Sequence, residues 1–448
     1  MDAAAISAVA PLAMVGLNPA RDFGPRLFAA CAGWGRVAIP GPQGGFFTVY
    51  ILAPCLGALV YEFALGRANA AEEAQTGERM EPTRIIFVGG FLGAGKTTLL
   101  AQAAERLAIR DLQVGLITND QAADLVDTRL LSSGGARVEE VSGSCFCCNF
   151  DGLIGAATRL REHGAQVIIA EPVGSCADLS ATLLQPLKQH HADAFIPAPL
   201  SVLCDPTRLQ QVQQETGMHP KARYIFCKQV EEADALLLSK ADRLDTAQRG
   251  GLEDILAGIN PDVPRFAVSG RTGAGVDAWL DHVMQATHAG ERLAEIDYDT
   301  YAAGEAALGW LNADIRLEAD DCCIPDWRGL LRGALRDLQI RIKVREASIG
   351  HIKAIATSDD DRLTINITDT EEEPEIRGEL DGAAIVVDLV YNARVELPPD
   401  ELEQLVRATL QEAVATGCVE LEFLRVHALT PGRPDPTHRF STITGSDD

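Results

Sequence analysis

A chain of 448 residues is longer than one compact core usually allows, so its length predicts two or three domains. The net charge of -25 argues against a nucleic-acid partner, because phosphate binding needs a basic surface. The 11 cysteines are odd in number and partly clustered, which favours metal-binding or reactive thiols in a reducing cytosol over a secreted disulfide framework.

The first 66 residues differ from the rest in hydropathy. Phe46 to Gly66 form an apolar run of 21 residues with a single charge, at Glu62. A run of this length can span a bilayer, and a buried core helix is the alternative. Upstream, Pro19 can open a helix without losing a hydrogen bond, and the Asn18 amide can face a cavity. Arg21 is too costly for lipid and predicts a pore or a protein interior.

This Asn-Pro-Ala-Arg stretch resembles the second half-pore of the major intrinsic proteins, the aquaporin family. Asp22 after it is typical of the glycerol-facilitator branch. A closed pore of that family needs further spans and a second Asn-Pro-Ala motif, and this chain has neither. We interpret residues 1–66 as a membrane-type helical fragment, either a fused remnant that could associate with a membrane or a gene-boundary artefact. Residues 67–83 are polar and unpatterned, which predicts a linker.

Residues 84–290 begin with a phosphate-binding motif. An apolar strand-like run is followed by Gly90-x4-Gly95-Lys96-Thr97 and then by leucines and alanines at helical spacing, the context in which this motif is specific. Backbone N–H groups of the loop and the helix N-terminus would bind the phosphates, with Gly93 and Thr98 in the same loop. Lys96 is expected to reach the β- and γ-phosphates, and the Thr97 hydroxyl to hold Mg²⁺.

Several short apolar runs with helical patterns between them follow this motif. They predict an α/β domain of the P-loop NTPase type, with a doubly wound and mostly parallel sheet whose ligands lie at the carboxyl ends of the strands. Glu171 ends one such run, where a carboxylate can hold Mg²⁺, and Gly174 can sense the γ-phosphate.

The polar residues Ser239 to Asp242, which follow another of these apolar runs, predict which base the nucleotide carries. The Asp242 carboxylate can accept two hydrogen bonds from guanine, whereas adenine offers no such pair, and Lys240 would lie over the base. Ser269 belongs to a plausible second loop on the base side. These residues predict a GTPase rather than an ATPase.

Three cysteines occupy four positions in the run CFCC: Cys145, Cys147 and Cys148. Crowded thiolates repel, so the run predicts a bound cation, reactive chemistry, or a buried structural turn. Three thiolates suit Zn²⁺ or Co²⁺ and leave a coordination position open for transfer.

The phosphate loop, CFCC, EPVG and SKAD, in that order, resemble the CobW family, in the metallochaperone branch of GTPases that includes HypB and UreG. The resemblance implies GTP hydrolysis coupled to delivery of zinc, cobalt or a similar cation to a client metalloprotein, with Cys145, Cys147 and Cys148 as metal ligands. The segment LITNDQAADLVDT, residues 116–128, resembles the switch segment of the family, with Asn119, Asp120 and Asp127 matching in kind and residues 121–123 departing from it. The resemblance implies a carboxylate ligand from this segment, for which Asp120 is the better candidate. The closing residues LTPGRPDPTHRF resemble the C-terminal tail of the family.

The other cysteines are expected to be structural in most cases. Cys176 follows Glu171 closely enough to face the same site, although a structural role is favoured. The pair Cys322-Cys323 lacks a second pair at metal spacing. The remaining five are predicted to be buried fillers in apolar surroundings: Cys31, Cys55, Cys204, Cys227 and Cys418.

From about residue 305 the pattern of the chain changes. A β-α-β-β-β-α-β order predicts a smaller α+β domain over 305–448, ferredoxin-like in character. It shows no catalytic constellation, and His351 in one of its strands is expected to be structural. We interpret this domain as a surface for client recognition or for association, including self-association.

The sequence therefore predicts a cytoplasmic, Mg²⁺-dependent GTPase that acts as a metallochaperone, with a membrane anchor if the N-terminal fragment inserts. Two alternatives remain open. One is a membrane transport protein with an attached GTPase, and the other is a GTPase that assembles a metalloenzyme without carrying metal itself.

Overall fold

The computed structural model describes residues 81–120, 136–320, 322–359, 361–415 and 418–445, without the side chain of Asp120. The predicted membrane-type fragment at 1–66, its two cysteines and most of the predicted linker lie outside these residues. The first strand begins at Thr83, one residue inside the predicted linker. Within the described ranges, no helix combines the length and the apolar character needed to cross a membrane.

The first domain is built on an eight-stranded sheet in the order β3-β2-β4-β1-β6-β7-β8, with β5 paired to β1. All of these pairings are parallel. The strands are β1 Thr83–Gly89, β2 Val114–Asp120, β3 Arg137–Ser142, β4 Val167–Glu171, β5 Phe195–Pro197, β6 Ser201–Cys204, β7 Ala235–Leu238 and β8 Arg265–Ala267.

Helices cover both faces of this sheet. They are α1 Lys96–Ile109, α2 Phe150–Glu162, α3 Gln185–His190, α4 Pro206–Gln214, α5 Pro220–Glu232, α6 Thr246–Ile259, α7 Val276–Gln285 and α8 Tyr298–Glu305. A π-helical turn, Ser180–Leu184, precedes α3, and a 3₁₀ turn, Ala241–Arg243, follows β7.

Alternate residues of β1 point into two different hydrophobic cores. Ile85 and Phe87 pack with α2, whereas Ile86 and Val88 pack with α1 and α7. A strand that is buried on both faces needs a continuous apolar run, which is the pattern in the sequence. The predicted doubly wound P-loop domain is confirmed.

The second domain has a six-stranded antiparallel sheet in the order β12-β11-β10-β13-β9-β14. Its strands are β9 Gly309–Ala319, β10 Ile349–Ser358, β11 Asp361–Ile367, β12 Glu375–Glu379, β13 Val386–Val395 and β14 Val419–Leu429. Two helices, α9 Trp327–Val344 and α10 Pro399–Val414, pack on one face of this sheet through a separate apolar core. The domain has one strand more than expected, β12.

The other face of the second sheet lies against the phosphate loop. Arg208, which is 4% exposed, donates hydrogen bonds to the carbonyls of Gly350 at 3.2 Å and Thr368 at 3.0 Å. Its guanidinium also lies 5.9 Å from the ring centroid of Phe91 in the phosphate loop. These contacts hold the two domains together beside the nucleotide motif.

One cysteine prediction is wrong. Cys323 and Cys418 form a disulfide between the segment after β9 and the start of β14, with Cα atoms 5.7 Å apart. They are 95 residues apart in sequence, so only the pairing of β9 with β14 brings them together. Cys418 is therefore disulfide-bonded and not a free cysteine that fills apolar space. Of the other cysteines predicted to be buried, Cys204 is buried and Cys227 is half-buried.

Candidate functional site: a nucleotide cleft beside a thiol cluster

The phosphate loop joins β1 to α1 through three glycines with positive φ. These angles are 133° at Gly90, 80° at Gly93 and 95° at Gly95. A Cβ at Gly90 would lie 2.4 Å from the carbonyl oxygen of Leu203, so no larger residue fits there. The loop therefore keeps the tight curvature that directs backbone N–H groups to one point.

The side chains expected to bind phosphate and Mg²⁺ meet at this loop. Lys96 Nζ donates to the carbonyl of Gly90 at 2.7 Å and lies 3.9 Å from Glu171 Oε1. Thr97 donates through Oγ1 to the same carboxylate oxygen at 3.3 Å. A Cβ on Gly174 would lie 3.1 Å from Lys96 Nζ. The paired hydroxyl and carboxylate are the oxygen ligands that Mg²⁺ prefers, so the donor set fits that ion.

The predicted base-binding residues meet at a second point along the cleft. Asp242 accepts hydrogen bonds from Ser269 Oγ at 2.6 Å and from Arg271 Nε at 3.0 Å. Although burial favours protonation, these bonds hold the pKa of Asp242 below its ordinary value, so the carboxylate is ionised as guanine recognition requires. Lys240 has a positive φ of 51° and forms an ion pair with Asp205 at 2.7 Å.

The CFCC thiols lie together in the loop between β3 and α2. Cys145 Sγ is 2.9 Å from Cys147 Sγ and 3.2 Å from Cys148 Sγ, and Cys147 and Cys148 are 3.8 Å apart. All three distances are too long for a disulfide, and the Cys147–Cys148 distance equals the ~3.8 Å between two thiolates on one tetrahedral Zn²⁺, whereas the other two are shorter.

A fourth thiol joins this cluster. The Sγ atoms of Cys145, Cys147 and Cys176 all lie within 4.8 Å of one another, and all three residues are buried. Hydrogen bonds from Cys147, Cys148 and Cys176 lower the pKa of Cys145. The sequence left Cys176 as a weaker candidate, although its position five residues after Glu171 was a usable signal.

Two structural links connect the thiol cluster to the nucleotide cleft. The first is the loop after β4, which has Glu171 at one end beside Thr97 and Cys176 at the other end in the cluster. Gln229, 1% exposed, holds this loop by donating to the carbonyls of Gly174 at 3.0 Å and Cys176 at 2.8 Å. The second link is Asn119 at the end of β2, which lines the cleft and hydrogen-bonds the thiol loop.

The C-terminal tail covers the thiol loop. We name residues 433–440 the strap. Asp435 N–H donates to Cys148 Sγ at 3.3 Å, and Thr437 N–H donates to the carbonyl of Cys147 at 2.8 Å. Arg439 Nε lies 2.6 Å from the buried carboxylate of Asp178, which anchors the strap. The strap therefore lies directly over the thiol loop.

The second domain contributes one wall of the nucleotide cleft, which the sequence did not reveal. The cleft has a volume of about 780 Å³ and is lined by the phosphate loop, Glu171, Gly174 and the polar face of the second sheet. Lys353 Nζ donates to Thr97 Oγ1 at 3.5 Å. Burial lowers the pKa of His351 well below its ordinary value, and Lys353, Arg394, Lys96 and Arg208 lower it further. His351 lies in the cleft wall, and its structural role stays a prediction.

One predicted ligand stays a prediction. Asp120 ends β2 opposite Ser142 of β3, near the start of the thiol loop, and its side chain is outside the described residues. Cys322 is exposed and, among the described residues, belongs to no group with metal-ligand geometry.

Fold and site together define a P-loop nucleotide-binding protein whose phosphate loop adjoins a cluster of thiols. Residues 84–267 match the family model described as the CobW/HypB/UreG nucleotide-binding domain. This part of the chain is therefore similar to the nucleotide-binding domain that the model describes.

Two solved structures resemble the chain. HypB from Helicobacter pylori in complex with nickel has 19% identity and a TM-score of 0.35, and the match covers 49% of this chain and 96% of HypB. Zn(II)-bound YjiA GTPase from E. coli has 16% identity and a TM-score of 0.32, with 74% of this chain and 99% of YjiA covered.

The N-terminal part resembles curated channel proteins. The propanediol uptake facilitator PduF of Citrobacter freundii is 48% identical over 62 residues, which are 13% of this chain and 23% of that protein. The glycerol uptake facilitator of Pseudomonas aeruginosa is 51% identical over 78 residues, 15% of this chain and 28% of that protein. The chain thus spans about a quarter of the length of the curated relatives it matches.

Proposed function

We propose that this protein is a Mg²⁺-dependent GTPase that binds a Zn²⁺-class cation at the thiol cluster and delivers it to a client metalloprotein. One observation carries the proposal: the loop from Glu171 to Cys176 contributes a carboxylate to the phosphate end of the nucleotide cleft and a thiol to the cluster. A γ-phosphate that repositions this loop would change the metal site.

Different residues of the cleft bind the phosphates, the Mg²⁺ ion and the base. Lys96 and the loop N–H groups bind and orient the β- and γ-phosphates, and Thr97 with Glu171 holds Mg²⁺. That ion supplies charge neutralisation between the phosphates when it is bound. Asp242 selects guanine by accepting from its N1–H and exocyclic amine.

The cluster has the chemistry expected of a transfer site rather than a permanent structural one. Cys145, Cys147 and Cys176 supply three buried thiols, and Cys148, which is half-buried, lies at the edge next to the strap. A ligand at the edge can detach without unfolding the loop, which a client protein needs in order to take the metal.

The decisive experiment is measurement of Zn²⁺ affinity in the presence of GTP, of GDP and of no nucleotide. We expect one Zn²⁺ per chain, an affinity that differs between the GTP and GDP states, and an equal and reciprocal effect of Zn²⁺ on relative nucleotide affinity. Binding should weaken as pH falls, because protons compete for the thiolates.

The Cys145→Ser, Cys147→Ser double variant provides the control. It should lose Zn²⁺ and retain GTP, because the phosphate and base contacts are made by other residues. One Zn²⁺ per chain with unchanged affinity in that variant would contradict the metal-binding proposal. Identical metal affinity with GTP and GDP in the wild type would contradict the coupling. If the wild type did not bind Zn²⁺ at all, the alternative of a GTPase that assembles a metalloenzyme without carrying metal would be favoured.

A further inference from the structure

We propose that Lys353 of the second domain contacts the γ-phosphate of the nucleotide bound to the phosphate loop, so that this domain distinguishes triphosphate from diphosphate. The inference rests on the proposed nucleotide binding. It assigns to the second domain a part in the nucleotide site, whereas its sequence had suggested only client recognition or association.

The position of Lys353 carries the first step of the argument. Its ammonium lies 3.5 Å from Thr97 Oγ1, the hydroxyl that would hold Mg²⁺ beside the phosphates in a P-loop protein. A charge-assisted hydrogen bond to a phosphate oxygen is about 2.8 Å long, so a group this close to Thr97 can reach those oxygens with a small side-chain rotation. Phosphate is also a stronger acceptor than a threonine hydroxyl.

The surroundings of Lys353 carry the second step. Its neighbours across the sheet are two neutral amides, Asn366 on β11 and Asn392 on β13. The same face of the sheet brings Arg394 into the cleft wall, while Lys96 approaches from the phosphate loop. The cleft also contains the carboxylates of Glu171, Asp359, Asp361 and Glu375, but the three cations Lys96, Lys353 and Arg394 all act on His351 at the end of the cleft next to the phosphate loop. A polyphosphate is the ligand that this group of cations fits.

The attachment of the second domain carries the third step. A Cβ on Gly93 of the phosphate loop would lie 2.7 Å from the Thr368 side chain, so the loop and the second domain are in direct contact there. The buried Arg208 joins both β10 and the segment after β11 to α4. Lys353 is therefore held over the loop by a fixed domain interface, and movement of the γ-phosphate acts directly on β10.

The test compares GDP with a GTP analogue that has a non-hydrolysable β–γ bridge, both with Mg²⁺. In Lys353→Met, we expect affinity for the analogue to fall at least about tenfold and affinity for GDP to change less than about twofold. Lys353→Arg should keep most of the discrimination. The matched control is Lys343→Met, because Lys343 is an exposed lysine of the same domain, on α9, paired with Glu371 at 2.8 Å.

Each outcome has a distinct meaning. Equal losses for both nucleotides would show that Lys353 only stabilises the domain interface, and unchanged affinities would show that it makes no contact; either overturns the inference. Failure of the wild-type protein to bind guanine nucleotides would instead overturn the proposed function. Amine-reactive labelling of the wild type gives a measurement without substitution: the analogue should protect Lys353 and GDP should not, and equal protection would contradict the contact.

Discussion

Asn119 accepts, through its side-chain oxygen, a hydrogen bond of 2.8 Å from the backbone N–H of Phe146, the residue between the first two cysteines of the thiol loop. Its amide nitrogen donates to the carbonyls of Val141 and Ser144, each at 2.8 Å. One side chain at the end of β2 thus holds the end of β3 and the first half of the loop that presents the thiols. Asn119 also lines the nucleotide cleft, so it can relay a change there to the cluster.

Substitution of Asn119 by alanine should loosen this loop. We expect a loss of about 1–3 kcal/mol in the free energy of unfolding, because buried backbone groups lose their partners. The ratio of Zn²⁺ affinities in the GTP and GDP states should move towards one. The matched control is Asn149→Ala, since Asn149 caps α2 beside the same loop by accepting from Gly152 N–H at 3.1 Å. The Asn149→Ala variant should lose about 1 kcal/mol in the free energy of unfolding and keep the ratio of Zn²⁺ affinities of the wild type. If Asn119→Ala also kept that ratio, Asn119 would not couple the nucleotide cleft to the thiol cluster.

The four thiols should differ in their importance for metal binding. Cys176→Ser is expected to weaken Zn²⁺ binding by more than about tenfold, because it removes a thiol from the group whose three members are all buried. Cys204→Ser, a buried thiol on β6 outside the cluster, should leave Zn²⁺ affinity unchanged. Competition with a chromophoric chelator measures both. If Cys176→Ser bound Zn²⁺ like the wild type while Cys148→Ser did not, the ligand set would be that of the CFCC motif alone.

Asp242→Asn should change which base is preferred. The amide would offer a donor where guanine also has a donor, whereas the base of xanthosine triphosphate has an acceptor there. We expect GTP hydrolysis to fall and xanthosine triphosphate hydrolysis to rise, measured as kcat/KM for each. Equal turnover of ATP and GTP by the wild type would show that Asp242 does not read the base.

Lys96→Ala should abolish turnover of every nucleotide, because the phosphate charge is then uncompensated.

The strap should limit access to the thiols. Arg439→Ala removes the cation that pairs with the buried Asp178, so the strap should detach more often. The rate at which Cys148 of the metal-free protein reacts with a thiol reagent is expected to rise several-fold. Arg433→Ala breaks an exposed pair with Asp299 and should leave that rate unchanged, because surface pairs contribute little. A rate in Arg439→Ala equal to that of the wild type would show that the strap does not cover Cys148.

Glu232 should make stability depend on pH. Burial raises its pKa well above the ordinary value, although the Ser180 N–H donates to it at 3.0 Å. The folded state then holds a proton that the unfolded state releases above its pKa of 4.5. The free energy of unfolding should therefore fall as pH rises from there towards the folded-state pKa, by up to about 1.4 kcal/mol per unit. Glu232→Gln should remove this slope, so the variant should gain stability over the wild type between pH 5 and pH 8. Parallel denaturation curves at both pH values would contradict this.

The sequence by itself determined the nucleotide-binding half of this protein. Gly90, Lys96 and Thr97 are neighbours in the chain, and their geometry follows from the local turn between a strand and a helix. Cys145, Cys147 and Cys148 are likewise brought together by one loop. Glu171 and Asp242 could be placed because parallel strands end at a common edge of the sheet, so their distance in sequence did not matter.

Only the tertiary structure decided which distant residues complete the site. Lys353 reaches Thr97 from 256 positions away, and an alternating strand shows which side of a sheet faces outwards but not what will lie against it. The Cys323–Cys418 disulfide likewise depends on the pairing of β9 with β14. The strap reaches Cys148 across 287 residues through a backbone N–H, a group that every residue but proline has and that leaves no mark in a sequence.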